Sequence, residues 1–447
     1  MWDDDYSSFR LVWKFFAFIW NINMMILSAI FVRIFRGRIN AQNRRARRVV
    51  DYRKPVSVTQ LLESVSPDSR VVISGGGNDP DIMHWRDSVA ARTLALSTQS
   101  NRGAVVLHRG NSDLVGRIQS LVDPSRLVIV DSGNLRYDPL CDYNTDDCKE
   151  ILVAGIEANG VEFENGQAYL EGLILSVRYC LKKQPTLELL VRLTRNSLDS
   201  LQNQLQKFRE MGKITPAQQE EATGLLIEGA SGLNIVRNHL RRLQAQLATV
   251  AVNDKNVAGS DMINIRRALQ NGKILIMDLS SVNKPKQTLG PLVEELNRSA
   301  LLYGGFLLVD DLPVVDSPEM TRLLENGVSN LGHCLSTKNL FALCDNSREK
   351  MDGILNGSAC RVCFTHQDGS AAEAWEKSFG TYEKQEITLG GGAPLFKPMA
   401  MAKHFGLPPK KWEHRVPARD IQELPVGCVF ARQSEDKEIM HCVLKDE

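Results

Sequence analysis

An apolar run of strand length, Tyr303 to Pro313 (YGGFLLVDDLP), ends in two consecutive carboxylates and then breaks at a proline. Such a run predicts a buried strand that delivers Asp310 and Asp311 to the carboxyl edge of a sheet, where open α/β proteins bind their ligands. A carboxylate pair held there can orient a magnesium ion and its attacking water, because a hard cation takes rigidly held oxygen ligands. The plainer reading is a core strand whose aspartates cap the next turn.

Length and composition bound the rest. At 447 residues the chain exceeds what one core usually holds, which predicts one large domain with a helical insertion, or two lobes. The near balance of 54 basic and 53 acidic residues excludes a globally basic nucleic-acid binder and leaves only local patches for that role. Nine cysteines without regular spacing predict reduced thiols in a cytoplasmic body. Cys360-Arg361-Val362-Cys363 has the spacing of half a zinc site, but no second pair follows and the segment alternates as a strand, so it reads as buried structure. Neither a Ser/His/Asp order nor a Gly-x-Ser-x-Gly elbow points to hydrolase chemistry. Gly390 to Gly392, before APLFKP, reads as a turn, because no helix start follows it.

The N-terminus is a separate object. Phe15 to Val32 is an uncharged run of about eighteen residues, just long enough to span a bilayer, although Asn21 and Asn23 weaken it. Asp3, Asp4 and Asp5 precede it, whereas Arg33, Arg36, Arg38, Arg44, Arg45, Arg47 and Arg48 follow. The positive-inside rule then predicts a short tail outside (1–10), a single-pass membrane helix (11–35), a basic juxtamembrane linker (36–69) and a cytoplasmic remainder. A cleaved signal peptide is opposed by the basic charge on the wrong side. The rival is an interfacial helix held by its arginines on anionic lipid. NRRARR, Asn43 to Arg48, could alternatively neutralise nucleic-acid phosphates.

Between Cys148 and Asn271 the pattern turns helical, with apolar residues at three- and four-residue spacing in Tyr169 to Lys182, Leu187 to Met211 and Leu225 to Val250. Thr215 followed by Pro216 marks a helix start. Arg237, His239, Arg241 and Arg242 form a basic face. It reads either as a solvated surface or as a docking face for DNA or an acidic partner, with Arg237, Arg241 and Arg242 as its contacts.

After the acidic strand come LSTKNLFAL (Leu335 to Leu343) and SREKMDGILNGSACRVCFTHQDGSAAEAWEKSFG (Ser347 to Gly380). Before it lie GAVVLHRGNSDLVGRIQSLVDPSRLVIVDSGNLRYDPL (Gly103 to Leu140) and NGKILIMDLSSV (Asn271 to Val282), and VPARDIQELPVGCVFARQ (Val416 to Gln433) closes the order. This succession resembles the RecA-like motor domain of type IV secretion coupling proteins, TraD/TraG-like, and their FtsK/HerA-like relatives, over roughly Val71 to Arg432. The resemblance implies an α/β, P-loop-type RecA-like domain with a mostly parallel sheet, built from 70–147 and 263–447, with an all-α insertion at 148–262. It implies ATP and Mg2+ as cofactors, with Gly75, Gly76, Gly77 and Asn78 at the phosphates, Asp310 at the metal, Asp311 orienting water and Lys338 in the sensor place. It also implies an oligomer at the cell membrane, with other secretion-system subunits and a DNA-processing complex or DNA as partners.

The chain departs from that pattern at the nucleotide site itself. The loop GGGNDPDIMHW, Gly75 to Trp85, keeps glycines but has no Lys-Ser or Lys-Thr after them. Asp79 and Asp81 put negative charge where a phosphate would sit, and Pro80 removes a backbone donor. Lys338 stands where the family carries glutamine, Asp311 stands for the usual glutamate, and no arginine lies between Glu325 and Asn330 to reach a neighbouring subunit. The expectation is a degenerate ATPase, a coupling-protein-like component that recruits DNA or protein substrate to a membrane channel with its own hydrolysis lost. The alternatives are an active DNA-translocating ATPase and a soluble HerA-like defence or scaffold protein.

Overall fold

The computed structural model describes residues 4–130, 136–156, 160–246, 262–280, 285–313, 317–385, 388–389, 405–406, 410–433 and 438–445. The expected turn at Gly390 to Gly392 lies outside them. The chain starts with α1 (Asp4–Arg47), β1 (Val49–Asp51), β2 (Val56–Ser57) and the single turn α2 (Val58–Leu61). It enters the core through β3 (Arg70–Ser74), α3 (Pro80–Ser97), β4 (Ala104–His108), α4 (Ser112–Leu121) and β5 (Leu127–Val130). β6 (Arg136–Tyr137) leads into a helical lobe of α5 (Thr145–Val153), α6 (Val161–Leu181), α7 (Leu187–Leu193), α8 (Leu198–Glu210), α9 (Pro216–Glu228) and α10 (Leu233–Gln246). β7 (Met262–Ile263) leads out to α11 (Ile265–Gln270), β8 (Ile274–Asp278), α12 (Pro285–Tyr303), β9 (Gly305–Asp310), α13 (Pro318–Asn326) and β10 (Leu331–Thr337). Then come α14 (Leu340–Leu343), α15 (Arg348–Asn356), β11 (Cys360–Cys363), α16 (Gly369–Phe379), β12 (Thr381–Lys384), β13 (Thr388–Leu389), β14 (Phe405–Gly406) and β15 (Lys411–His414). The last elements are α17 (Ala418–Gln422), β16 (Cys428–Gln433) and β17 (Ile439–Lys445).

One sheet runs β1-β17-β16-β11-β3-β10-β9-β4-β8-β5, with β2 beside β17. Pairing is parallel from β11 to β5, and β16 alone runs against both its neighbours. The strand period of two sorts the apolar residues onto two faces. Val71, Ile73, Val106, Phe306 and Leu308 pack with α3 and α4. Val72, Leu107, Leu307 and Val309 pack with α12 and the helical lobe. A parallel sheet covered on both sides explains why β9 reads as an unbroken apolar run. Cys360 and Cys363 lie buried in β11, and all nine cysteines are free.

The membrane helix expected over 11–35 is not shown as such. That stretch belongs to the continuous 44-residue helix α1, but among the described residues no helix is long and apolar enough to cross a membrane. The stretch expected as a juxtamembrane linker is also structured. Asn43 exchanges two hydrogen bonds with the backbone of Gln385, at 2.6 and 3.0 Å, and Arg47 Nε donates to the Arg415 carbonyl at 2.7 Å. After it, β1 pairs with β17.

Two buried carboxyls hold the connections into and out of the helical lobe. Asp138, just after β6, accepts from the backbone N–H groups of Leu140 and Leu187, both at 2.9 Å. Glu295 of α12 accepts from the Ile265 N–H at 2.7 Å and from the Tyr137 hydroxyl. Burial pushes Asp138 up to about 6 and Glu295 up to about 8, outweighing those hydrogen bonds. Between the ordinary carboxylate range and these values the folded state holds protons that the unfolded chain releases. The stability from these groups is therefore fully present only below the ordinary carboxylate range, falls as pH rises above it, and is lost by about pH 6 for Asp138 and about pH 8 for Glu295. Glu295→Gln, which cannot ionise, should gain melting temperature relative to wild type between pH 5 and pH 8. Parallel pH profiles for the two proteins would mean that Glu295 is charged when folded.

Candidate functional site

The alternation of β9 turns Asp310 toward the face carried by α3 and α4, the same side as Phe306 and Leu308. Asp310 is buried, its Oδ1 accepting from Ser336 Oγ and its Oδ2 from Asn111 Nδ2, both at 2.8 Å. Asn111 is the N-cap of α4: its oxygen accepts from the Leu114 N–H, which leaves its amide to donate to Asp310 and, at 3.2 Å, to Asp87. Asp311 leaves the strand at φ +49°, a left-handed value uncommon for a side-chain-bearing residue. Its Oδ1 accepts from the Lys338 backbone N–H at 2.8 Å and its Oδ2 from Arg86 Nη2 at 2.9 Å.

Arg86, from the second turn of α3, is completely buried among these carboxylates. Nη2 also lies 3.7 Å from Asp310 Oδ1, and Nε lies 4.0 Å from Asp87 Oδ1. Burial, reinforced by the charge of Asp310 and opposed by Arg86, pushes Asp87 up to about 6. Asp310 is raised by burial too, again against the pull of Arg86. On the next strand, burial lowers His108, whose Nδ1 accepts from the Asn111 N–H at 3.1 Å.

The loop from Gly75 to Asp79 sits beside this cluster. Gly75, Gly76 and Gly77 have φ values of +126°, +87° and +51°, a run of backbone that glycine alone adopts readily. Counted from Gly75 with the spacing of a phosphate loop, the second glycine is Pro80, the lysine is Asp81 and the Ser/Thr is Ile82. Several backbone donors of the loop are engaged within the protein. The N–H of Gly75 donates to Thr337 O at 3.1 Å, that of Gly76 to Thr365 O at 2.8 Å and that of Asp79 to Gly76 O at 3.0 Å. At the N-terminus of α3 the Asp79 carboxylate itself takes the Asp81 N–H at 3.0 Å. Ile82 is buried against the loop: a Cβ placed on Gly76 would stand 2.5 Å from Ile82 Cγ2. One cation does return to the loop, because Lys338 Nζ donates to Asn78 Oδ1 at 3.1 Å.

Folding thus gathers Gly75, Gly76, Gly77, Asn78, Asp310, Asp311 and Lys338 at one carboxyl edge. A bound nucleotide with Mg2+ does not fit the residues present. Asp81 and the buried Ile82 stand where the loop spacing calls for lysine and Ser/Thr, an aspartate caps the helix, and a guanidinium lies on the aspartates. As the side chains stand, no group of three His, Cys, Asp or Glu among the described residues is placed to hold a metal ion. Arg237, Arg241 and Arg242 belong to the helical lobe. Arg237 is half-buried and its Nε donates to the Thr194 carbonyl at 2.7 Å, tying α10 to the end of α7, while Arg241 and Arg242 are exposed. Sequence reasoning missed Arg86, Asp87, Asn111 and Ile82. Only Ile82 carried a usable signal, its distance from Gly75.

The packing of Ile82 on Gly76 makes a measurable claim. Gly76→Ala should destabilise by about 1–3 kcal/mol through its positive φ and the contact, and Ile82→Ala by about 2–4 kcal/mol. In chemical denaturation the double variant should cost less than the sum, since the small side chain at 82 makes room for the added methyl. Strict additivity would place Ile82 outside the loop.

No family model and no curated protein matches the sequence. Solved structures do match. The bacterial conjugative coupling protein TrwBdeltaN70, in an unbound monoclinic form, superposes with a TM-score of 0.58 at 14% identity, over 92% of this chain and 91% of that one. The plasmid coupling protein TrwB in complex with ADP and Mg2+ gives 0.55, also at 14% identity, over 92% of each chain. TrwB with the GTP analogue GDPNP gives 0.56 at the same identity and coverage. At this identity the likeness is one of fold: the chain has the RecA-like α/β fold of the type IV secretion coupling proteins.

Proposed function

We infer that this protein is a non-hydrolysing member of the coupling-protein kind, which recruits DNA or protein substrate to a membrane channel through its helical lobe and its contacts with other secretion-system subunits. The observation that carries the reading is the loop closed from within. On a fold that superposes on TrwB bound to ADP and Mg2+, the packing of Ile82 against Gly76 and the capture of the Asp81 N–H by the Asp79 carboxylate support this reading. What remains of the coupling-protein plan is shape: a sheet edge for neighbouring subunits and the exposed Arg241 and Arg242 for DNA or an acidic partner. The rival reading, an active ATPase, has Lys338 in its favour, since its ammonium reaches Asn78. Isothermal titration of the full chain separates the two. ATP binding is expected to be no tighter than about millimolar, some 4 kcal/mol. Micromolar binding accompanied by release of inorganic phosphate, both lost in Lys338→Ala, would establish the rival.

For location, the reading is membrane attachment through α1. Phe18 and Trp20, two positions apart and so on opposite sides of a helix, are both exposed, at 58% and 66%. A helix that presents apolar side chains on opposite sides suits a lipid surrounding better than a one-sided protein groove. Arg33, Arg36, Arg38, Arg44 and Arg45 follow, placed to meet anionic headgroups. Expressed in bacteria, the full chain should sediment with membranes and resist carbonate and high salt. Release by salt would make α1 an interfacial helix, because ionic lipid contacts are screened. Recovery in the soluble fraction without any treatment would refute attachment.

A further inference from the structure

We propose that Arg86 is the built-in counter-ion of the Asp87, Asp310 and Asp311 cluster, and that it takes the place a divalent cation would hold at such a strand end and keeps that cation out. The inference rests on the non-hydrolysing reading and concerns its metal side. Three carboxylates face one guanidinium that cannot lose its proton. Its hydrogen bonding is poor for a group so completely buried: Nη2 reaches Asp311 at 2.9 Å, but among the described residues Nε and Nη1 have no hydrogen-bond partner. A side chain placed there for directional bonding would leave no such donors unmatched. Charge is what the position supplies, as a metal ion would. The cluster is arranged around the guanidinium: Asn111 bridges Asp87 to Asp310, and Ser336 and the Lys338 N–H hold the two strand-end aspartates from the other side. Because Arg86 is carried by α3, the helix that closes the glycine loop also brings in the charge that displaces the metal.

The test is a Mn2+ titration of the full chain, read by the loss of the free-ion paramagnetic resonance signal and by melting temperature. Wild type should show no saturable binding, and neither should Arg86→Lys, which retains a cation. Arg86→Met should melt lower in metal-free buffer, bind one Mn2+ per chain, recover melting temperature with the ion, and lose that binding when Asp310→Asn is added. Wild-type binding that Asp310→Asn abolishes would overturn the proposal, as would a folded Arg86→Met protein indifferent to Mn2+. If Arg86→Met does not fold, the triple variant with Asp310→Asn and Asp311→Asn decides. Recovery of folded protein supports the counter-ion role, and continued failure overturns it in favour of packing alone. Tight ATP binding without Mn2+ binding would sink the non-hydrolysing reading and leave this inference standing; wild-type Mn2+ binding without ATP would do the reverse.

Discussion

Burying a guanidinium obliges a fold to bring carboxylates to it, because the charge cannot be shed and an unmatched buried ion is costly. That constraint, at Arg86, ties the first turns of α3 to the ends of β9 and β10. The left-handed turn at Asp311 follows from it, since Asp311 must leave the strand to meet both Arg86 and the Lys338 N–H. So does the role of Asn111, which shares one amide between two carboxylates that would otherwise repel.

With α3 held there, the loop before it has little freedom. A phosphate loop keeps backbone donors aimed at an anion, an arrangement stabilised mainly when the anion is present. Here the N–H groups of Gly75, Gly76 and Asp79 are turned to Thr337, Thr365 and Gly76, and an aspartate caps the helix. Ile82 adds burial worth about 2 kcal/mol. The glycines remain because Gly75 and Gly76 lie close against Phe364 and Ile82 with positive φ, which is a packing requirement independent of any ligand.

At the other end of the chain, α1 is about 66 Å of helix whose C-terminal end is pinned by Asn43 and Arg47 to Gln385, Arg415 and Asp420. A helix fastened in this way passes the orientation of its apolar part directly to the sheet, with β1 continuing into the edge beside β17.

Much of this was legible in the chain. The unbroken apolar run of β9, the glycines after β3 and the acidic residues at 79 and 81 are local signals, since strand period and helix-start chemistry act over a few residues. Burial of Cys360 and Cys363 in a strand could be read in the same way. The position of β10 between β3 and β9 and the charge partners of Arg86 could not, because they depend on pairings far apart in sequence; Arg86 and Asp311 lie 225 residues apart. On a helix, MHWRDS offers no sign that its arginine is buried, and Arg237 looked like its exposed neighbours until the turn of α10 set it against Thr194. Local periodicity determined which segments are strands and helices and that the loop is degenerate. Tertiary packing alone decided which charges lost their water, and with that which of them had to meet.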